Sequence, residues 1–307
     1  KIEAKAEQGL GLPLTRVKYK IKNQPLVSII IPTKNMKDDL KACIDSIEKK
    51  TTYPQYEIII VDNQSDDPET LQYLQELSTR EGYIVIKYPH KYNYPAINNK
   101  AVEMSKGEHI LLLNNDISII SNEWIEAMLE YSQQEQIGCV GSLLLYPDNH
   151  IQHAGLTLGV GGTKDFPGVA GHQYQHRKLN DPSYLDYPNA IHEVIGVTAA
   201  CMMVKKSIYE EVGGLDEKLT VAFNDVDFCL RVREQGYKNV YTPYSKLYHY
   251  ESKTRGHDDL DPKKKARAMK EVEYFYSKWE DTVKRGDPFY NPNLTRIKDD
   301  FSLELNP

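Results

Sequence analysis

The sequence predicts an α/β protein built on a mainly parallel central sheet with helices on both faces. Two patterns lead there: short, continuously apolar runs of strand length, and helical patterns between them. A third observation is a hydrophobic fraction of 40% over 307 residues, enough to bury a large core in one large domain or two small ones.

Residues Lys1 to Gln24 mix Gly, Pro and Lys without clear periodicity, so they read as a lead-in or inter-domain segment, with the folded domain starting at Pro25. The first apolar run, Val27 to Pro32, is followed by Leu40, Cys43, Ile44 and Ile47 at the spacing of one helix face. The alternation repeats: Glu57 to Val61 precedes Leu71, Leu74 and Leu77, and Tyr83 to Lys87 precedes Ile97, Ala101 and Met104. A further unit runs from His109 to Leu113 into Trp124, Ile125, Met128 and Leu129. Strands apolar at nearly every position are buried on both faces. Ligands of such sheets lie beyond the carboxyl ends of the strands. Chemistry is therefore expected at Pro32 to Asn35, at Asp62 and Asn63, in the Tyr88 to Tyr94 loop and at Asn114 to Asp116.

From Tyr146 to Ala190 the pattern gives way to a Gly- and His-bearing stretch too long for an ordinary connection, and such segments are usually functional. Its part from Ile151 to His176, with His153, Gly155, Gly159, Gly161, Gly162 and His172, is expected to shape a substrate site. Short strands follow near Val194 to Val197 and Ala200 to Val204, then a helix from Asp225 to Gln235 stopped by Gly236. A last helix, Pro262 to Lys284, carries Met269, Val272, Tyr276, Trp279 and Val283 on a stripe that should pack back on the domain.

Composition removes several function classes. With 44 acidic against 38 basic residues and a net charge of -6, the chain has no global pull toward nucleic acid. No apolar run approaches the roughly 20 residues of a membrane helix. The four cysteines, Cys43, Cys139, Cys201 and Cys229, form no C-x-x-C pair, which speaks against a zinc site or disulfide framework and for reduced thiols in a cytosolic protein. The start at Lys1, with no signal pattern, reads as a domain cut from a longer chain. The 22 Tyr against 6 Phe fit polar-ring ligand binding, or have no functional meaning.

At the strand ends each acidic residue has a functional and a plain reading. Asp62 is placed either to accept hydrogen bonds from a base or ribose, or to serve the following turn. Asp116 suits a hard divalent cation held with phosphates, or initiates a helix. Successive helical residues turn by about 100°, so Asp225 and Asp227 cannot both face one pocket, and only one is available as a base. His249 is a metal ligand, a proton carrier or a surface histidine. Lys253 and Arg255 grip a diphosphate, or form a solvated basic loop. The run DPKKKARAMK is an anionic-membrane contact or a solvated helix face.

Taken in order, VSIIIPTKN, IIIVDNQS, YNYPAINNKAV, LLLNND, VTAACMMV, GGLDEKLTVAFNDVDFCLRVREQGY and LYHYESKTRG resemble the nucleotide-sugar-dependent glycosyltransferases of the large inverting family two, whose fold is GT-A. The resemblance spans residues 25–256, leaving 257–307 as a C-terminal helix and tail packed on the domain. The tail DPFYNPNLT looks like the end of bacterial, rhamnosyltransferase-like members that build O-antigen or capsule, often as one module of a multi-module chain.

The resemblance implies a wall for the donor nucleoside from Pro32, Thr33, Asn35 and Asp62, with Asn93 and Asn98 near it. It sets Asn114, Asn115 and Asp116 at the family's D-x-D position, with the amide Asn114 replacing the first acid. Asp116 and His249 then hold Mn2+ or Mg2+, and Lys253 or Arg255 assists the diphosphate. Asp225 takes the general-base role, Asp227 is structural, Thr198 to Cys201 form the floor under donor sugar and acceptor, and the loop from Ile151 to His176 is expected to shape the acceptor site. The implied partners are a UDP- or dTDP-sugar donor and a glycan or lipid-linked glycan acceptor. The implied location is the cytoplasm, including the inner face of the membrane. Tyr92, Tyr94, Tyr241, Tyr244, Tyr248 and Tyr250 become candidate ligand-facing rings, and Tyr276 a core residue. A silent sugar-binding module would have lost the base, and a nucleotidyltransferase would carry glycine where this chain has PTKNMKDD.

Overall fold

A computed structural model of the chain describes residues 3–11, 13–161, 168–251, 262–297 and 301–304. The strand-helix units appear as β3 (Val27–Thr33), α1 (Lys37–Lys50), β4 (Tyr56–Asp62), α2 (Pro68–Ser78), β5 (Tyr83–Lys87), α3 (Tyr94–Met104) and β6 (His109–Leu113). β3 pairs in parallel with β4 and β6, and β4 with β5. Helix starts follow local chemistry: Asp67 accepts from the Thr70 amide ahead of Pro68, and Asn93 accepts from the Ala96 amide ahead of Pro95.

The chain continues through β7 (Ile117–Ile119), α4 (Trp124–Ser132), β8 (Ile137–Leu145), β9 (Ile151–His153), β10 (Leu156–Leu158), β11 (Ala170–His172), a 3-10 turn at Tyr184–Asn189 and β12 (His192–Val194). It ends with β13 (Cys201–Lys205), α5 (Lys206–Glu211), α6 (Asn224–Glu234), β14 (Lys238–His249) and α7 (Pro262–Arg285). The main sheet runs β12-β14-β8-β13-β6-β3-β4-β5, with β7 on β14 and β9 on β8. β13 is antiparallel to both β6 and β8, so the parallel order expected from the first four units holds there and becomes mixed beyond β6. Side chains alternate between two apolar layers. Ile30, Ile59 and Leu112 face α3, α5 and α6, whereas Ile29, Ile60 and Leu111 face α1, α2 and α4. All four cysteines are buried and free. Among the described residues no helix is long and apolar enough to cross a membrane.

Three pattern residues depart from expectation. Leu71 is 41% exposed, Met104 49% and Met269 57%. On α2 the buried place goes to Thr70, whose hydroxyl donates to Asp67. On α7 the inward face is Glu271, Phe275, Trp279 and Val283, so the stripe is correct at Trp279 and Val283, while Val272 and Tyr276, the latter expected in the core, sit one residue out of phase and are only partly buried.

The leading segment is also more ordered than its composition suggests. Ala4–Gln8 (β1) and Thr15–Tyr19 (β2) form an antiparallel hairpin. It is held by side chains far along the chain: Arg16 meets the buried Glu130 carboxylate at 2.6 Å and stacks 3.9 Å from the Tyr244 ring centre, and Tyr19 packs edge-on against Tyr131. Burial lifts the Glu130 carboxyl to about 7 against the opposing charges of Arg16 and Lys18. A carboxyl with a folded pKa above its unfolded value loses stability as pH rises between the two. Arg16→Met raises the folded value further, extending that loss to higher pH. It is expected to cost about 3 kcal/mol, more at pH 8 than at pH 5, measured by denaturant unfolding. Equal losses at both pH values would contradict the pairing.

Candidate active site

The strand ends open into a cavity of about 590 Å³. Pro32 and Thr33 at the end of β3 form one wall, with Lys34 and Lys91 supplying positive charge. The Asn115 side-chain amide donates to Thr33 Oγ1 at 3.1 Å, and the Asn63 amide donates to the His90 carbonyl at 2.8 Å. Together with the Asn63 backbone amide donating to the Thr33 carbonyl at 2.8 Å, those bonds tie the ends of β3, β4, β5 and β6 into one rim.

Four residues expected at the nucleoside wall have other duties and do not line the cavity. Asn35, at φ 53°, accepts from the Asp66 and Asp67 amides and donates to the Asp66 carboxylate, clasping two loops together. Asp62 accepts from the Ser65 amide at 2.9 Å. Asn93 caps α3 and donates to the Glu217 carbonyl. Asn98 is fully buried and donates to the Tyr94 carbonyl, while its Oδ1 has no partner among the described residues. Lys253 and Arg255 lie outside the described residues.

Beside this wall, Asn114, Asn115 and Asp116 follow β6, and His249 ends β14. His249 Nε2 lies 3.1 Å from Asp116 Oδ1. Its orientation is set in sequence: Glu251 accepts from the Gln152 amide at 3.0 Å, which turns Gln152 Oε1 toward His249 Nδ1 at 2.6 Å. An amide oxygen only accepts, so Nδ1 carries a proton, and Nε2 is the ring nitrogen left to face a ligand with its lone pair. Asn114 Nδ2 reaches that nitrogen at 3.2 Å. Asp116 Oδ1 is buried with no hydrogen-bond partner among the described residues. A nitrogen and an oxygen lone pair therefore converge at the spacing of adjacent ligands on an octahedral cation with bonds of about 2.1 Å. The pair fits a divalent cation completed by ligands from outside the protein. Among the described residues no group of three or more His, Cys, Asp or Glu gathers as a complete metal site.

Asp225 stands in the first turn of α6 and faces the cavity, while Asp227 points away. Asp225 Oδ2 accepts from the Ala199 amide at 3.1 Å and Oδ1 from the Val226 amide at 2.9 Å. A carboxylate has about four lone-pair positions, so each oxygen keeps one for a substrate. Asp227 is fully buried, accepting from Arg231 at 2.8 Å, Trp279 at 2.9 Å and Lys278 at 2.5 Å. The loop before α6 ends on Phe223 at φ 61°, a left-handed conformation that costs a non-glycine residue about 1 kcal/mol. Glu271 of α7 holds that loop, accepting from Thr220 Oγ1 at 2.5 Å and from the Val221 and Ala222 amides.

Of the expected floor, Thr198, Ala199 and Ala200 line the cavity while Cys201 is buried and does not, and Tyr92 and Tyr94 line it as rings. The other four tyrosines do not line it. Tyr241 is core, donating to the Pro188 carbonyl; Tyr244 supports the hairpin; Tyr248 donates to Asn149; and Tyr250 is 36% exposed. Lys34 and Lys91 fall in strand-end segments where chemistry was expected, whereas the individual contacts that sequence reasoning missed are Gln152, Gln175 and Glu251. Only the unusual length of the 146–190 segment pointed toward the first two.

The sequence profile described as Glycosyl transferase family 2 matches residues 28–213 of the 307. The chain is 41% identical over 290 residues to the "Uncharacterized protein y4gI" of Sinorhizobium fredii, covering 94% of this chain and 31% of that protein. It is 33% identical over 299 residues to the O-antigen biosynthesis protein RfbC of Myxococcus xanthus, covering 95% of this chain and 22% of that one. The chain thus spans a third or less of either relative. Among solved structures, a mannosyltransferase of Pyrobaculum calidifontis in complex with GDP-Man and Mn2+ superposes with a TM-score of 0.59 at 15% identity, over 85% of this chain and 65% of that one. At that identity the likeness establishes the fold, which is GT-A. With the profile covering more than half of its length, the chain belongs to glycosyl transferase family 2.

Proposed function

We propose that the chain is a metal-dependent, inverting glycosyltransferase that moves a sugar from a nucleoside-diphosphate donor to a glycan hydroxyl during bacterial surface-polysaccharide synthesis. The observation that carries this reading is one cavity holding both a convergent Asp116-His249 pair and, at a helix start, the half-free carboxylate of Asp225. The O-antigen role named for one relative and the GDP-Man and Mn2+ named for a structural neighbour support it. UDP- and dTDP-sugars are the proposed donors, a glycan or lipid-linked glycan the acceptor, and the cytoplasm or inner membrane face the location. The greater length of the relatives supports further catalytic modules in the same chain.

Asp116 and His249 would hold Mn2+ or Mg2+, with nitrogen ligation favouring Mn2+. When bound, the cation offsets negative charge on the departing diphosphate. Lys34 and Lys91, which line the same cavity, add positive charge. Pro32 and Thr33 bound the nucleoside, and Asn115 fixes the Thr33 hydroxyl. Asp225 takes the proton of the acceptor hydroxyl as its oxygen bonds to the anomeric carbon, while the bond from that carbon to the diphosphate breaks on the opposite face. Direct displacement inverts the centre. An α-linked donor gives a β-glycoside and a β-linked one, such as dTDP-L-rhamnose, an α-glycoside. A diphosphate leaves without protonation, so one carboxylate suffices.

The test is a calorimetric titration of UDP-, dTDP- and GDP-sugars with and without Mn2+, followed by NMR assignment of the product anomer. Mn2+-dependent binding of one donor and an inverted product are expected. Retained configuration would refute the displacement, and absence of any Mn2+-dependent binding would refute the site.

A further inference from the structure

Two histidines of the 146–190 segment are unused by this chemistry. His153 is fully buried in β9, and its Nδ1 lies 2.8 Å from Nδ1 of His172 in β11. The Thr198 backbone amide donates to His153 Nε2 at 3.4 Å. A neutral imidazole has one N–H and one lone pair. With Nε2 accepting, His153 must carry its proton on Nδ1 and donate it to His172 Nδ1. His172 then carries its own proton on Nε2. Burial lowers the pKa of both rings, most strongly for His153, where the His172 charge adds to the effect, so neutrality is the folded-state condition. For His172 the carboxylates of Asp225 and Glu251 partly oppose that shift, and His249 adds to it.

His172 lines the cavity, and its backbone is fixed by pairing of β11 with β10 and by the Gln173 amide donating to Gly155. The two histidines and Asp225 also hang from one turn: the successive amides of Thr198 and Ala199 donate to His153 Nε2 and to Asp225 Oδ2. Any shift of that turn moves the relay and the carboxylate together.

On the reading that this cavity transfers sugars, we propose that His172 is an acceptor-binding residue, its Nε2–H fixed as a donor by the Thr198-His153 relay and aimed at an oxygen of the sugar whose neighbouring hydroxyl meets Asp225. The acceptor, not the donor nucleotide, is indicated because His172 is tied through His153 to the same Thr198–Ala199 turn that holds Asp225, whereas the proposed nucleoside contacts, Pro32 and Thr33, stand at the end of β3. The ligand class is a polyhydroxylated pyranoside, which presents acceptor oxygens on adjacent carbons.

The test uses methyl glycosides of the common hexoses and 6-deoxyhexoses as acceptors with the donor identified above. His172→Phe keeps a planar ring without the N–H, and is expected to raise acceptor KM about tenfold while donor KM stays within roughly twofold. His172→Gln, which restores an N–H, is expected to recover part of the loss. An unchanged acceptor KM in His172→Phe, or an equal rise in both KM values, overturns the proposal, as does a wild-type rate that no glycoside raises. Donor turnover to water by the wild type tells the two failures apart, because its absence sinks the transfer reading itself. Should His172→Phe not fold, long-range 1H–15N spectra of the wild type decide: a proton on His172 Nε2 and on His153 Nδ1 is expected, and the reverse pairing overturns the relay.

Discussion

Asp225→Asn is expected to lower the transfer rate by about 10²- to 10⁴-fold, the usual contribution of a positioned base, while Mn2+-dependent donor binding stays near the wild-type value. The side-chain shape is kept, but an amide has no basic oxygen for the acceptor proton. A second effect follows from the hydrogen bonds. Both Asp225 oxygens accept backbone amides, from Ala199 and Val226, so the amide variant must turn its NH2 toward one of two donors. The orphaned N–H costs about 1–2 kcal/mol, visible as a small fall in melting temperature. Asp225→Ala removes the misplaced NH2 along with the carboxylate and leaves both backbone amides to water, so a rate loss shared by the two variants reports the missing base rather than the amide clash. Transfer at near wild-type rate in either variant would remove Asp225 from the mechanism.

The second large effect is expected at the convergent pair. Asp116→Ala should weaken Mn2+-dependent binding of nucleoside diphosphate by at least roughly tenfold, read by calorimetry, because it removes the only anionic side chain of the pair. Without nucleotide and metal, the same variant should be no less stable than the wild type. It eliminates a buried carboxylate oxygen that has no hydrogen-bond partner among the described residues and that faces the lone pair of His249. Loss of binding with retained or raised melting temperature is the joint signature of a site strained for its ligand. An unchanged titration with Mn2+ would argue against cation binding there.

The parallel half of the sheet was legible because its signals are local. Apolar runs such as Ile58 to Val61 and the phase of Leu40, Cys43, Ile44 and Ile47 need no knowledge of distant residues. The hairpin at Ala4–Tyr19 was not legible, because what orders its mostly exposed strands is Glu130, Tyr131 and Tyr244, more than a hundred residues away. Motif positions such as Asn35 and Asn98 were recognisable, but a motif does not say which way a side chain points. Asn35 closes a loop clasp and Asn98 is fully buried. The Gln152 amide that orients His249 lies 97 residues from it and belongs to no periodic pattern. Its role follows from geometry alone.

Helix α7 bears on how such enzymes can be cut and recombined. The family profile ends at residue 213, ahead of Asp225, and α7 begins at residue 262. Yet Glu271 grips the loop that delivers Asp225, and Trp279 and Lys278 anchor the next acid on the same helix. A chimera that grafts a foreign tail at the profile boundary would lose Asp225 and His249 themselves, and one joined after His249 would keep both but still lose the brace behind Asp225. The exchangeable unit therefore runs through residue 285, and shuffling acceptor specificity between relatives calls for moving the tail helix together with the loop it holds.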